Sequence, residues 1–160
     1  MLYRQLLKSD FERLPPALRE FHSRLGGGRA SGTVSVRHAS SLLARLAGFP
    51  ASGDNIPAQL EVVSGDNEEV WIRRFGGAVR KSIQRQSGDL LLETAGPVRV
   101  FFRVLVDDSG MRFESQRVLL WMIPLPMRVT ARAGGGASAW EFEVTIARVG
   151  SYRGSMTPSP

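Results

Sequence analysis

From Ala30 onward, apolar and polar side chains alternate with a period of two, the mark of half-buried strands. The run Val98–Val106 is the clearest. Val98, Val100, Phe102, Val104 and Val106 fall on one face, wholly apolar. Turn residues bracket this run and its neighbours: Gly65-Asp66-Asn67, Gly76-Gly77, Ser87-Gly88-Asp89, Gly96-Pro97 and Asp107–Gly110. Gly, Asn and Asp tolerate the left-handed backbone that tight turns need, so these segments punctuate strands. The predicted strands are Ala30–His38, Pro57–Ser64, Val70–Phe75, Ala78–Gln86, Leu90–Thr94, Val98–Val106, Met111–Trp121, Arg128–Arg132 and Trp140–Val149. The last can run on to Gly154.

Helical spacing is confined to the front. Ser9 or Asp10 can cap a first turn. Pro15-Pro16 then interrupts, because proline lacks a donor and restricts the residue before it. Pro16 suits the first position of a helix Pro16–Ser23, with Leu14, Leu18, Phe21 and Leu25 toward one side. Gly26–Gly28 ends it. A third short helix is expected over Leu42–Ala47, capped by Ser40 or Ser41 and stopped by Gly48 and Pro50.

Short sequential links between many strands predict a mainly β domain over residues 1–156. The expected form is a strongly curved antiparallel sheet or an up-and-down barrel of about eight strands, with short N-terminal helices. Residues 157–160 are expected to fray. A barrel of this lipocalin-like kind removes free edges and can hold one small ligand inside.

The second face of several strands is less ordinary. A solvated face is polar throughout. Here arginine breaks rows of apolar residues: Arg73 between Trp71 and Phe75, Arg103 beside Phe101 and Leu105, Arg117 after Phe113, and Arg148 after Ile146. Two readings stand. On a solvated face, the alkyl stems cover neighbouring rings. Inside a cavity, a guanidinium needs a partner such as Glu93, Glu114 or Glu141, or an anionic ligand.

Composition narrows the classes. With 160 residues and 42% hydrophobic content the chain can bury a core, which excludes general disorder. It has no cysteine, which removes disulfides, thiolate metal sites and a cysteine nucleophile and suits a reducing, cytoplasmic setting. No apolar run is long enough for a membrane span. The net charge of +6 raises the question of nucleic acid. Yet of the 21 basic residues only Lys8 and Lys81 are lysine, and the arginines are scattered rather than massed with stacking aromatics, which argues against it. His22 and His38 are the only histidines, too few for a three-histidine zinc site, so no metal and no cofactor is expected. Gly26–Gly28 and Gly134–Gly136 fit no phosphate loop. His22 and Glu114 are the candidates for proton transfer.

Several segments together resemble the domain-of-unknown-function family 4166: FERLPPALREFH (Phe11–His22), GGGRASG (Gly26–Gly32), LLARLAGFP (Leu42–Pro50), WIRRFGG (Trp71–Gly77), GPVRVFFRV (Gly96–Val104), the Pro124–Pro126 segment and the terminal YRG (Tyr152–Gly154). The resemblance implies a bacterial domain that occurs alone or fused to a Rossmann-like oxidoreductase, and so action on a small metabolite or lipid. It implies no established activity.

The expected function is binding of an apolar, lipid-like molecule with an anionic or carbonyl group. Trp71, Arg73, Phe101, Arg103, Arg117, Trp121 and Tyr152 are the candidate ligand-binding residues. A small isomerase- or cyclase-type enzyme on the same ligand, or a docking module for an oxidoreductase, remain as alternatives.

Overall fold

The computed structural model describes residues 1–38 and 49–159. Helix α1 (Leu2–Leu7) runs into a 3-10 helix (Lys8–Arg13), and α2 follows at Pro16–Ser23 with Pro16 in its first turn. The strands are β1 (Gly27–His38), β2 (Gly53–Ser64), β3 (Glu68–Phe75), β4 (Ala78–Ser87), β5 (Leu90–Ala95), β6 (Val98–Asp107), β7 (Gly110–Leu120), β8 (Ile123–Pro124), β9 (Val129–Gly135), β10 (Trp140–Ile146) and β11 (Gly150–Pro158). The helix expected over Leu42–Ala47 lies outside the described residues.

Every pairing is antiparallel. Neighbours follow the order β6-β5-β4-β3-β2-β1-β11-β10-β9-β7, and β6 also pairs with β7 from Val98↔Leu120 to Asp107↔Gly110. That last ladder closes the sheet into a barrel of ten strands, with the two-residue β8 only folding back antiparallel on the end of β7. The ring departs from the expected eight strands chiefly because Trp140–Gly154 is two strands, not one. The turn between them places Arg148 at a left-handed φ of 65°, closed by Val149 N–H donating to the Ile146 carbonyl at 3.0 Å. A non-glycine residue seldom takes that conformation, so the left-handed position itself carries no signal, and only Gly150 marks the junction. Of the residues expected to fray, 157–159 are paired, and residue 160 lies outside the described residues. Ser31↔Thr157 and Ala30↔Pro158 continue the β1–β11 ladder, and Ser159 N–H donates to the Arg29 carbonyl at 2.8 Å.

Alternation sorts side chains to the two faces. Val34, Val36, Ala58, Leu60, Val62, Leu91, Phe102, Met111, Val118, Trp140 and Met156 are buried inside the barrel. The helices close one end of it. Leu2, Tyr3, Phe11, Leu14, Leu18 and Phe21 are buried there with them, while Leu25 stays exposed beyond α2. Phe21 packs on Trp140 with ring centres 4.9 Å apart, and Ala17 N–H meets the Gly136 carbonyl in the β9–β10 turn. A ten-stranded ring is wider than one that its own side chains fill, so a plug of helices with large apolar residues completes the core at this end. The opposite end carries the β3–β4, β5–β6 and β10–β11 turns and the segment from Trp121 to Arg128.

Strands β1 and β11 approach unusually closely. A Cβ on Gly32 would lie 1.8 Å from the Ser155 carbonyl oxygen, and one on Gly154 would lie 2.1 Å from that of Thr33. Both clashes are with backbone, which has nowhere to yield. Gly32→Ala should therefore destabilise the protein by about 2 kcal/mol or more, whereas Gly136→Ala, in open space, should cost far less. Urea unfolding of the two variants checks this, and equal midpoints would sink it.

Candidate functional site

Three adjacent strands place polar side chains on the inner wall. In β3 the inward residues are Glu69, Trp71, Arg73 and Phe75. The register Glu69↔Gln84 and Trp71↔Ser82 brings the inner face of β4 beside them, and Gln84↔Glu93 adds β5. Arg73 and Glu93 form an ion pair at 3.1 Å. Arg73 Nη1 donates to Ser82 Oγ at 2.8 Å, and Ser82 donates to Glu93 Oε1 at 2.6 Å. Gln84 Nε2 donates to the other carboxylate oxygen at 3.2 Å, and the Tyr3 hydroxyl, arriving from α1, donates to Gln84 Oε1 at 2.8 Å. The guanidinium lies over the Trp71 ring at 4.9 Å, and Trp71 Nε1 donates to Glu69 Oε2 at 3.1 Å. Arg73 thus has the partner that a charge inside a protein requires.

Burial opposes charge on both members of the pair, yet each keeps the other ionised. Glu93 holds the Arg73 guanidinium above its ordinary value, and Arg73, with Ser82 and Gln84, holds the Glu93 carboxyl below its own. Glu69 behaves oppositely. Burial pushes its carboxyl up, and the Trp71 hydrogen bond only partly compensates. The Tyr3 hydroxyl is pushed far up by burial and then by Glu69 and Glu93. His22 stacks on Tyr3 at 4.1 Å and faces Trp71 at 5.9 Å. Burial alone drives its imidazole down to about 3, so it is neutral over the ordinary pH range.

The wall is not sealed. Arg73 and Glu93 each keep 20% of the side-chain surface accessible although they point into the barrel. Trp71, Val98, Val100, Phe142 and Tyr152 are likewise inward and only partly buried. Tyr152, on β11, stands close enough to feel both charges: burial raises its hydroxyl, Arg73 opposes this and Glu93 adds to it. Its ring packs against Phe75 at 5.4 Å and Phe142 at 6.1 Å.

Of the candidate binding residues, the structure brings Trp71, Arg73 and Tyr152 together inside. Phe101, Arg103 and Arg117 lie on the outer face. A bulge in β7 is responsible for Arg117: Phe101 pairs with Arg117 but Phe102 pairs with Ser115, so Gln116 is extra and the alternation reverses. Arg117 then covers the Phe101 ring from outside at 4.2 Å, the alkyl-and-cation cover of a solvated face. Arg103 pairs across the outside with Glu114. Glu114, part-exposed and ion-paired to Arg112 at 3.2 Å, is therefore not beside His22. Trp121 stands exposed at the far rim. Ser82, Gln84, Glu69 and Tyr3 were missed. In β4 the sequence offers Val79 and Ile83 on one face and Ser82 and Gln84 on the other, and burying the apolar face would have been the natural choice. The polar face is inside, which is the sign of a polar wall rather than a uniform core. Among the described residues no cluster of His, Asp or Glu is arranged to hold a metal ion, and no helix is long and apolar enough to cross a membrane.

These features define a closed, helix-plugged antiparallel barrel with an ion pair and its hydrogen-bond network on the inner wall. The chain belongs to the family described as domain of unknown function DUF4166, whose model matches residues 14–156. Comparison with curated proteins and with solved structures gives no match.

Two outcomes follow from this geometry. Arg73→Met alone leaves Glu93 inside without its partner and should cost about 3–5 kcal/mol. Adding Glu93→Leu should restore most of that loss, giving a strongly non-additive double-mutant cycle by chemical denaturation; simple additivity would show the pair to be uncoupled. For His22, the unfolded chain binds a proton below about 6.5 while the folded protein refuses it down to about 3. Its contribution is complete above the higher value and is lost as pH falls, with a limiting slope of about 1.4 kcal/mol per pH unit. Glu69, raised by burial, acts with the opposite sign at the carboxylate end of the range. His22→Phe should flatten the fall in Tm between about pH 6.5 and 5. A fall as steep as in the parent would remove His22 as its cause.

Proposed function

We propose that the barrel interior binds an apolar, lipid-like small molecule and orients it through a carbonyl or similar neutral polar group held at the Arg73–Glu93 wall. The observation that carries this reading is the accessible surface of Arg73 and Glu93 inside the ring, 20% on each side chain. Groups deep in a barrel that touch neither solvent nor ligand are normally covered completely. Trp71, Tyr152, Phe142 and Val100 supply apolar surface around them. The electrostatics favour the neutral group over an anionic one. Glu93 already balances Arg73, so a ligand carboxylate would have to displace it or share the site with a like charge. A carbonyl oxygen can accept from Arg73 or from the Tyr152 hydroxyl without disturbing the pair. The cysteine-free composition suits a cytoplasmic setting for this role.

A second reading has its own observation. Glu69 and Glu93 flank Tyr3 with carboxyls pushed in opposite directions, the arrangement by which sites separate an acid from a base. On this reading Glu69 exchanges a proton with the bound molecule. If the extracted molecule emerges unchanged after incubation with both the parent protein and Glu69→Gln, the reading is withdrawn.

Native mass spectrometry of protein purified from its own host tests the binding proposal. An added mass of small-molecule size, recoverable into organic solvent and bearing a carbonyl, is expected. The Arg73→Met/Glu93→Leu variant should lose it while staying folded, with a midpoint near that of the ligand-free parent. A clean apo mass, together with no thermal shift on adding a long-chain methyl ketone, would overturn the proposal.

A further inference from the structure

We infer that the end of the barrel opposite the helices docks on anionic lipid bilayers through a projecting apolar tip set among arginines. This goes beyond the ligand reading and does not require it.

The tip is the turn after β7. Trp121, Met122 and Ile123 are 68%, 71% and 62% exposed, consecutive and all apolar. The turn is a built feature. Trp121 takes a left-handed φ of 52°, uncommon for a bulky residue, and its N–H donates to the Pro97 carbonyl of the β5–β6 turn at 2.7 Å. Leu125 N–H returns to the Val118 carbonyl at 2.9 Å, and Ile123 pairs with Leu120. The surrounding backbone therefore holds three large apolar side chains out in solvent, where a lone exposed residue would need no explanation but a contiguous tip does.

The charges around it have one sign. Arg99, Arg128 and Arg148 are exposed on the three segments that meet at this sector of the rim. Trp121 is bonded to the β5–β6 turn that precedes Arg99, and Ala147 N–H donates to the Arg128 carbonyl at 2.9 Å, placing Arg128 beside the Arg148 turn. Arg99 Nη1 points at Met122 Sδ, 3.8 Å away, rather than at a carboxylate. The segments 76–77, 95–97, 121–128 and 147–149 contain no acidic residue. The turns at the helical end carry Asp66, Asp89, Asp107 and Asp108, while the helical segment there mixes Asp10, Glu12 and Glu20 with Arg4, Lys8, Arg13, Arg19 and Arg24. The sector around the tip is thus cationic and apolar, whereas the helical end carries both signs. Indole and aliphatic groups partition into the headgroup boundary, and arginine is drawn to a leaflet rich in anionic lipid. A narrow tip among cations matches insertion into such a surface better than it matches a flat protein face, which calls for a broad apolar core.

The test is sedimentation of the full chain with vesicles of phosphatidylcholine alone and of phosphatidylcholine with about one-third phosphatidylserine. Binding to the anionic vesicles, weakened by raised salt, is expected. Replacing Trp121, Met122 and Ile123 together by Ser should lower the partition coefficient about tenfold, and so should replacing Arg99, Arg128 and Arg148 by Gln. Both variants should keep the parent thermal midpoint, since none of the six side chains is in the core. No binding to either vesicle, equal binding to both, or full binding by the tip variant would each overturn the inference. So would RNA displacing the protein while the tip variant still binds it fully, which would make this end a general polyanion surface. Because sedimentation reads the rim and native mass the interior, either proposal can fail without the other.

Discussion

Closure of the sheet through β6 and β7 is the constraint on which the rest depends. An open sheet of this length would leave two free edges and no interior. Once Val98–Asp107 and Gly110–Leu120 are paired, every strand has an inside and an outside, and the alternation of the sequence becomes a partition between lumen and solvent. The partition is strict enough that one extra residue, Gln116, is sufficient to move Arg117 from one side to the other. It also creates a space that ten strands alone do not fill, which is why the first two dozen residues matter. Their helices bring Leu2, Tyr3, Phe11 and Leu18 to the barrel end as a second contribution to the same core.

The inner wall is more polar than a core made only for stability would be. Replacing an internal ion pair by apolar residues of similar volume is often neutral or favourable, so the pair is weak evidence of a stabilising role. Here it is accompanied by Ser82, Gln84 and Tyr3 in a chain of hydrogen bonds, each donor and acceptor aimed, and by surface that remains accessible. Low effective dielectric strengthens such a network and makes it unforgiving of missing members. On the binding proposal, this incompletely covered polar wall is what recognises a polar group on an otherwise apolar molecule.

The two ends of the barrel answer different needs. The helical end is sealed by apolar packing and presents charges of both signs to water. The described turns at the other end carry exposed charges that are mostly arginine, and their most prominent feature is apolar. Trp121, a candidate ligand-binding residue on the sequence, stands exposed at the rim and does not wall the interior.

The sequence by itself determined that this is a mainly β, single-sheet protein with short helices in front. It also determined where most strands begin and end, because period-two alternation and Gly, Asn and Asp turns are local signals. It marked Arg73 as a guanidinium in an apolar row and named Glu93 among its possible partners. The tertiary structure decided which faces look inward. Ser82 and Gln84 are inside while Ile83 is not, and Arg103 is outside while Arg73 is inside, because those outcomes rest on register and closure between strands far apart in sequence. The split at Arg148 and the bulge at Gln116 were equally hidden. Both are backbone conformations carried by residues with no preference for them, imposed by the geometry of a closed ring and not by anything the neighbouring side chains announce.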